Sequence, residues 1–389
     1  MFSSRVPGVL NLNRLSSAVA AHRTAGREVV DLTVTNPTAV GISYGEAILA
    51  PLADPRGCRY QPEPFGLIPA RTAVASDYRR RGISVAEDRI VLTASTSEAY
   101  SLLFKLLCAP SGDEVLVPAP SYPLFDHLTR LDGVSSRQYG LEYHGRWELD
   151  VDSVDRAWRE RTRAVLAVSP NNPTGSMLSL GEFGELTSRC AEREAALIVD
   201  EVFTDYSFAA AKGDGRRAAS NRDCLSFHLG GLSKSAGLPQ VKLGWIRVDG
   251  PDQSVADALE RLELICDTYL SVSTPVQVAA PALIESGAEI RRQIRERIQT
   301  NYAALQSAVA ANPAVELLAA EGGWSAVIRV PSRWTEEELV IALLRERDVL
   351  VHPGFFFDFA HEAFLVLSLL PDPAVFADGV ARVMEHVGG

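Results

Sequence analysis

Short apolar runs alternate along this chain with longer stretches whose apolar residues have helical spacing. The short runs predict strands at 29–34, 90–93, 114–118, 163–168 and 196–200. Helical spacing predicts an arm or helix within 1–27 around Leu10, Leu12, Leu15, Val19 and Ala20, helices from about Pro69 and over 94–108, and long helices between 252 and 311. Strands and helices that alternate in this way indicate an α/β fold.

The C-terminal part continues the alternation. It predicts strands at 315–318, 324–330, 349–352 and 364–369 and helices at 335–346 and 373–387. Since the sequence contains no internal repeat and no low-complexity linker, we expect its domains to be interleaved rather than joined in series.

Composition narrows the class of protein. With 389 residues and 47% hydrophobic content, the chain is long enough for more than one core. A net charge of −11 argues against nucleic-acid binding, and the Arg79–Arg81 cluster is typical of a solvated helix end. No apolar stretch is long enough to cross a bilayer, and no secretion signal is present. Five cysteines without metal or disulfide spacing suit a reducing compartment, so we expect a cytoplasmic protein without a metal site.

Three polar residues follow apolar runs at regular intervals. Lys234 lies in a tight segment of glycines and serines, where an amine can form a Schiff base with an aldehyde cofactor. Taken alone, this segment fits a surface loop whose lysine points into water better than a Schiff-base site, and the motifs upstream of it reverse that preference. Asn172, Asp200 and Lys234 are separated by 28 and 34 residues, about one helix–strand unit each. Their amide, carboxylate and amine are therefore expected at neighbouring strand ends.

The motifs around these residues carry a resemblance to a known family. Asn-Pro-Thr-Gly at 172–175, Asp-Glu-Val-Phe at 200–203 and Ser-Lys-x-x-Gly-Leu-Pro at 233–239 resemble the class I/II aminotransferases, the fold-type I enzymes that use pyridoxal 5′-phosphate (PLP). The resemblance implies a mostly parallel central sheet in a large domain over 46–285. It also implies a smaller α/β domain from both chain ends, with an N-terminal arm and the start of that domain over 1–45 and its remainder over 286–389.

The resemblance implies a PLP-dependent aminotransferase that moves an amino group from an amino acid to a 2-oxo acid. Lys234 would hold the cofactor as an imine and shuttle the proton, and Asp200 would keep the ring nitrogen protonated. Asn172 would bond the ring oxygen and Tyr122 would stack on the ring. The residues implied for the phosphate are Ser95, Thr96, Ser233, Lys242 and a Tyr60 that reaches the second subunit's site in a homodimer.

Several of these residues have simpler alternatives. Hydroxyls at a helix start, as at Ser95 and Thr96, are usually caps. Tyr60 and Tyr122 lie among prolines and fit packing or turn-anchoring residues. Asn36 is a candidate at the substrate's carboxylate end, but an ordinary Asn-Pro turn explains it as well.

The chain departs from the family pattern at four positions. Ser95 replaces a glycine, and Lys242 replaces a phosphate-binding arginine. Phe203 replaces a tyrosine that bonds the ring oxygen, which predicts an altered imine pKa unless Tyr206 substitutes. Val366 stands where the family's Arg-x-Ser arginine grips the substrate carboxylate.

Two questions follow from the missing arginine. Arg329 is a possible stand-in or a surface strand residue, and the apolar loop 352–357 fits either a pocket wall or a core turn. The alternatives for the whole chain are another PLP reaction on the same fold, namely β-elimination, cyclisation or decarboxylation, or a non-catalytic PLP-binding regulator.

Overall fold

The computed structural model describes residues 2–8, 11–110, 112–208 and 223–388. The helices in this part of the chain are α1 (Arg14–Thr24), α2 (Ile68–Arg80), α3 (Thr96–Leu107), α4 (Leu124–Asp132), α5 (Val151–Ala157), α6 (Leu180–Glu192), α7 (Leu232–Ser235), α8 (Asp252–Tyr269), α9 (Thr274–Ala310), α10 (Glu336–Arg347) and α11 (Pro373–Gly388). Short 3₁₀ turns lie at Pro37–Ala39, Ala50–Ala53, Pro55–Cys58, Glu87–Arg89, Thr204–Tyr206, Pro239–Val241 and Gly354–Phe357.

The strands are β1 (Val30–Asp31), β2 (Ile90–Thr93), β3 (Glu114–Ala119), β4 (Ser135–Tyr143), β5 (Trp147–Leu149), β6 (Thr162–Val168), β7 (Ala196–Asp200), β8 (Ser226–Gly231), β9 (Gly244–Asp249), β10 (Glu316–Leu318), β11 (Ser325–Arg329), β12 (Val349–Leu350), β13 (His352–Pro353) and β14 (Phe364–Ser368). Within the described ranges, no helix combines the length and apolar character needed to cross a membrane.

The larger sheet has the strand order β2-β9-β8-β7-β6-β3-β4-β5. Strands β4, β3, β6, β7 and β8 run parallel, and β9 returns antiparallel between β8 and β2. β7 and β8 are buried along their whole length, which explains their continuous apolar runs. The expected α/β fold with a mostly parallel sheet is confirmed.

The smaller sheet has the order β10-β11-β14-β13 and is antiparallel throughout. Paired residues of antiparallel strands project to the same face, so three rows of side chains cross one face of this sheet. We call them the serine row, the apolar row and the outer row. They consist of Ser325 and Ser368, of Leu318, Val327, Val366 and His352, and of Glu316, Arg329 and Phe364.

Both chain ends contribute to the smaller unit. β1 pairs with β12 in parallel, and α1 packs on α10. The 37-residue helix α9 connects the two sheets: Arg291 binds the loop after β8, and Asn301 donates to the carbonyls of Leu369 and Pro371 after β14. The boundary predicted between 285 and 286 therefore falls inside one continuous helix, and the domain division stays a prediction.

The predicted elements differ from the structure in a few places. Leu10 lies outside the described residues, and Leu12 precedes α1. The strand predicted at 29–34 is only two residues long, because the segment after Asp31 turns to meet the smaller sheet. The sequence pattern does not predict the β4–β5 hairpin, since β4, next to the edge strand β5, carries many exposed polar residues and lacks a clear apolar pattern.

Candidate active site

The three predicted polar residues lie at one edge of the larger sheet. Val168 of β6 pairs with Asp200 of β7, which pairs with Leu229 of β8. Because these strands are parallel, their carboxyl ends meet at the same edge. Asn172 follows β6, Asp200 ends β7, and Lys234 lies in α7 directly after β8. The structure thus brings an amide, a carboxylate and an amine to three neighbouring strand ends.

Asp200 is a buried carboxylate with two hydrogen-bond donors. Its Oδ1 accepts from the Val202 N–H at 3.1 Å, and its Oδ2 accepts from the Tyr100 hydroxyl at 3.0 Å. Burial raises the pKa of Asp200 to about 6, although both hydrogen bonds lower it. A carboxylate oxygen can accept more than one hydrogen bond, so Asp200 can still bind the protonated nitrogen of an aromatic ring.

The sequence reading did not identify Tyr100. It is on the second turn of α3, is only 3% exposed and packs edge-on against Phe125 with ring centroids 5.5 Å apart. In the sequence it is one more large residue on the buried face of an amphipathic helix. Its helical spacing with Phe104 indicates core packing, and no local signal reveals the partner of its hydroxyl.

Lys234 lies in an aromatic setting next to this carboxylate. Its Nζ lies 5.0 Å from the ring centre of Trp324 and 5.7 Å from that of Phe203. Burial lowers the pKa of the Lys234 amine, and the Asp200 carboxylate opposes this effect. A lowered pKa favours the neutral amine, which is the form that attacks a carbonyl carbon.

Side chains from three distant segments donate hydrogen bonds to backbone carbonyls of residues 234–237, which we call the lysine loop. Tyr206 Oη donates to the Lys234 carbonyl at 2.6 Å, Arg291 Nε donates to the Ser235 carbonyl at 2.8 Å, and Tyr44 Oη donates to the Gly237 carbonyl at 2.5 Å. The suggestion that Tyr206 replaces the hydroxyl missing at Phe203 is therefore wrong. Tyr206 has one hydroxyl proton, and the backbone of Lys234 accepts it.

The residues predicted for a phosphate come from three adjacent chain segments. Gly244 of β9 pairs with Thr93 on one side and with Gly231 on the other, so the segments holding Ser95, Lys242 and Ser233 run side by side. A Cβ at Gly244 would lie 3.1 Å from the Ser95 carbonyl carbon, so this close approach requires glycine.

Within this group the individual roles differ. Ser95 is the N-cap of α3, and its Oγ accepts from the Glu98 N–H at 3.1 Å. The capping alternative is therefore realised for Ser95, and Thr96 is the first, half-buried residue of the helix. Lys242 is exposed and has a left-handed backbone with φ of 60°. A helix N-terminus, the hydroxyl of Ser233 and a lysine are together suited to bind an anion.

Hydrogen bonds tie the loop after β3 to the loop after β6. Asn171 is buried, its Oδ1 accepts from Ser121 Oγ at 2.8 Å, and its Nδ2 donates to the Pro120 carbonyl at 3.0 Å. Tyr122 is thereby fixed next to the segment of Asn172 while its own side chain stays 46% exposed. Tyr60 is 66% exposed on its loop, so the single chain does not bury it.

The two predicted substrate residues form contacts within their own segments. Arg329 is exposed, forms an ion pair with Glu316, and is four residues from Ser325, or about 13 Å along a strand. The stand-in role predicted for Arg329 is therefore wrong, because the sequence does not reveal which end of β11 approaches the site. The Asn36 side chain accepts from the N–H and the hydroxyl of Thr38, so the Asn-Pro turn accounts for it.

The serine row of the smaller sheet faces the candidate site. Ser325 Oγ donates to Asn172 Oδ1 at 3.4 Å, and Trp324, one residue earlier, borders Lys234. Beyond it, Val366 is 2% exposed and packs with Trp147 and Phe357. The loop 352–357 therefore contributes to a core cluster, while the N–H of Ser121 donates to the Phe357 carbonyl at 2.9 Å.

A cluster of buried charged residues lies next to these strand ends. Glu201, directly after Asp200, is bonded to His228 Nδ1 at 2.8 Å and lies 3.8 Å from Arg247. Burial alone would raise the pKa of Glu201, but His228, Arg247 and Arg81 lower it to about 2. Glu201 therefore stays ionised, and its negative charge adds to the rise in the pKa of Asp200.

Comparison with known proteins identifies relatives over almost the whole chain. The family model for aminotransferase class I and II matches residues 32–375. An alanine aminotransferase of Mycobacterium bovis is 26% identical over 378 residues, which span 93% of this chain and 85% of the relative.

Two solved structures share the fold over nearly their full length. An aminotransferase from Escherichia coli aligns with a TM-score of 0.87 and 22% identity, covering 100% of this chain and 98% of its own. The alanine aminotransferase from Pyrococcus furiosus aligns with a TM-score of 0.85 and 24% identity, covering 99% of both chains. The geometry of the strand ends and the family match point to the same class of protein.

Proposed function

The chain belongs to the class I and II aminotransferases and is an aminotransferase, and we propose that it binds PLP at Lys234 as its cofactor. The observation that carries the proposal is the placement of Asp200 and Lys234. A buried carboxylate and a buried amine lie at the ends of adjacent parallel strands, and the carboxylate acts on the pKa of the amine. This donor set fits a pyridine aldehyde, which needs an anion at its nitrogen and an amine at its aldehyde carbon.

Once bound, PLP withdraws electrons from the substrate's Cα, so that a proton can leave this carbon. The chain's own residues would do the rest. The Lys234 amine would hold the cofactor at its aldehyde carbon and, once displaced by the substrate amine, would move the proton from the substrate's Cα. Asp200, held by Tyr100 and the Val202 N–H, keeps the ring nitrogen protonated. The amide of Asn172 can donate to the ring oxygen while its Oδ1 accepts from Ser325.

The remaining predicted residues complete the proposal. The N-terminus of α3 with Ser95 and Thr96, the hydroxyl of Ser233 and the charge of Lys242 would bind the phosphate. Tyr122 would stack on the ring. We further propose a homodimer in which the exposed Tyr60 reaches the second subunit's phosphate. The five cysteines are free thiols, which supports the cytoplasm as the site of action.

The experiment that tests this function is reconstitution with PLP followed by an amino-transfer assay. We expect the purified protein to acquire the absorbance of bound PLP and to release a 2-oxo acid from an amino donor when a second 2-oxo acid is supplied. Lys234→Ala should abolish both signals. If the wild type binds PLP but converts no donor, an elimination, cyclisation or decarboxylation becomes the better explanation, although the family match does not favour those reactions.

A further inference from the structure

On the face of the smaller sheet that borders the site, an apolar side chain stands where the family pattern has a charged one. Val366 of the apolar row stands at the position where the family pattern has an arginine. The serine row lies between it and Asn172, at a spacing of two residues, or about 7 Å, along β14. Any substituent on the substrate's amine-bearing carbon that extends towards this sheet meets the serine row first.

Protein side chains fill the place of the missing guanidinium. Val366 is 2% exposed and packs in one cluster with Trp147 of the β4–β5 hairpin, Leu318 and Phe357. None of these neighbours is charged. The hydrogen-bonding groups at this place are neutral ring nitrogens, Nε1 of Trp147 and Nδ1 of His352, which are buried and have no protein partner, so a carboxylate would exchange its water for neutral groups only.

Among the described residues, three basic side chains near this site are either paired elsewhere or neutral. Arg329 of the outer row is paired with Glu316. Arg291 donates to the Ser235 carbonyl behind the lysine loop and lies 3.6 Å from Asp205. His352, directly opposite Val366, has its pKa lowered by burial and is therefore neutral above pH 7.

We propose that this aminotransferase binds the substituent on its substrate's amine-bearing carbon as an uncharged group, so that primary amines and carboxyl-blocked amino acids react at least one-tenth as fast as free amino acids. The inference rests on the proposed function and specifies its substrate class. A bidentate arginine contributes roughly 10²- to 10⁴-fold to the binding of a carboxylate. Without it, this face meets an acid, an amide or an alkyl group with neutral groups only, since the Ser325 hydroxyl already donates to Asn172 and the Ser368 hydroxyl donates to the Val34 carbonyl.

The reaction stays balanced for such donors. An amine R₂CH–NH₂ and a carbonyl acceptor R′₂C=O become R₂C=O and R′₂CH–NH₂. The donor's C–N bond breaks and a C–N bond forms on the acceptor. The donor carbon loses two electrons and the acceptor carbon gains them, and the water taken up in the first half-reaction is released in the second.

The test compares matched donors on the PLP-loaded wild-type enzyme at pH 8, where His352 is neutral. One set consists of L-phenylalanine, L-phenylalaninamide and 2-phenylethylamine, and another of L-alanine and L-alaninamide. Single-turnover loss of the absorbance of bound PLP gives kcat/KM, corrected for the fraction of unprotonated amine, and mass spectrometry identifies the carbonyl product.

We expect the amide and the amine to react at least one-tenth as fast as the acid, or faster than it. An acid that is favoured by more than tenfold overturns the inference, because a cation from elsewhere, including a second subunit, would then grip the carboxylate. In that case the proposed function survives. If no donor is converted although PLP is bound, both the inference and the proposed function fail.

A variant sharpens the result. Val366→Arg restores the charge, so the acid-to-amide ratio should rise at least tenfold, whereas Leu180→Arg, which adds the same charge on the exposed surface, should leave the ratio unchanged. A folded Val366→Arg protein with an unchanged ratio would show that this face does not meet the substrate. Because position 366 is tightly packed, thermal melting must establish folding first, and the wild-type comparison decides the question if the variant does not fold.

Discussion

The two walls of the candidate site are built on different principles. The proposed cofactor wall, made of Asp200, Lys234 and Asn172, lies at the ends of buried parallel strands, within the three motifs that resemble the family pattern. The proposed substrate wall, made of the serine row and Val366, belongs to an antiparallel sheet, and Val366 departs from that pattern. Under the proposed roles, the difference teaches that the chemistry of amino transfer and the choice of substrate depend on separate structures, so one can change while the other is kept.

Removing the amine of the cofactor wall should have the largest effect. Lys234→Ala eliminates both the group that holds the cofactor and the base that moves the proton, so we expect amino transfer to fall by about 10⁴-fold or more. The measurement is kcat/KM with an amino donor and a 2-oxo acid. Lys105→Ala, at a lysine paired with Asp132, is the matched control and should keep its activity. Residual activity within tenfold of the wild type would rule out Lys234 as the essential amine.

Asp200→Asn should lower activity by about 10²- to 10⁴-fold and change the stability of the cofactor-free protein. The pKa of Asp200 is raised from 3.8 to about 6, so the folded state binds this proton more tightly than the unfolded state does. The resulting stability is present below pH 4 and is lost as the pH rises through 6, with a total of about 3 kcal/mol.

Urea denaturation of the cofactor-free wild type and Asp200→Asn proteins at pH 4.5 and 7.5 measures this effect. The wild type should lose more free energy of unfolding between these pH values than the variant does, because other titrating groups are common to both. Parallel pH profiles for the two proteins would mean that Asp200 is not held in a desolvated site.

Tyr100→Phe tests whether the cofactor wall depends on residues outside the family motifs. Loss of a hydrogen bond to a charged carboxylate should raise the pKa of Asp200 further and reduce PLP affinity and kcat/KM by about tenfold to a hundredfold. Tyr139→Phe is the matched control, since the buried hydroxyl of Tyr139 donates to the Leu166 carbonyl instead. If both variants changed the PLP affinity equally, the Tyr100 hydroxyl would have no specific role at Asp200, and Tyr100 would contribute only packing.

Ser325→Ala should have the smallest effect. A neutral hydrogen bond of 3.4 Å to Asn172 is weak, so its loss should change kcat/KM by less than about threefold. Steady-state kinetics with a free amino acid and with its amide measure the effect. A loss of a hundredfold for the acid alone would mean that the serine row binds the carboxylate strongly, against the neutral role inferred for this wall.

The walls also differ in how far the sequence predicts them. The interval from Asn172 to Asp200 contains the helix–strand unit of α6 and β7, and the interval from Asp200 to Lys234 contains β8. Because β6, β7 and β8 are parallel, these intervals place all three residues at one sheet edge, as the spacing predicts. Arg329 was misplaced because the direction of a strand relative to the site is a tertiary property. Tyr100 was overlooked because a buried hydroxyl and a buried phenyl ring give the same helical pattern.

Helix α9 has a mechanical consequence for both walls. Arg291 holds the lysine loop and Asn301 holds the segment after β14, and these two residues are ten positions, or about 15 Å, apart on one helix. A helix resists compression and stretching far better than a loop does. The distance between the two walls is therefore fixed by the length of a single rigid element.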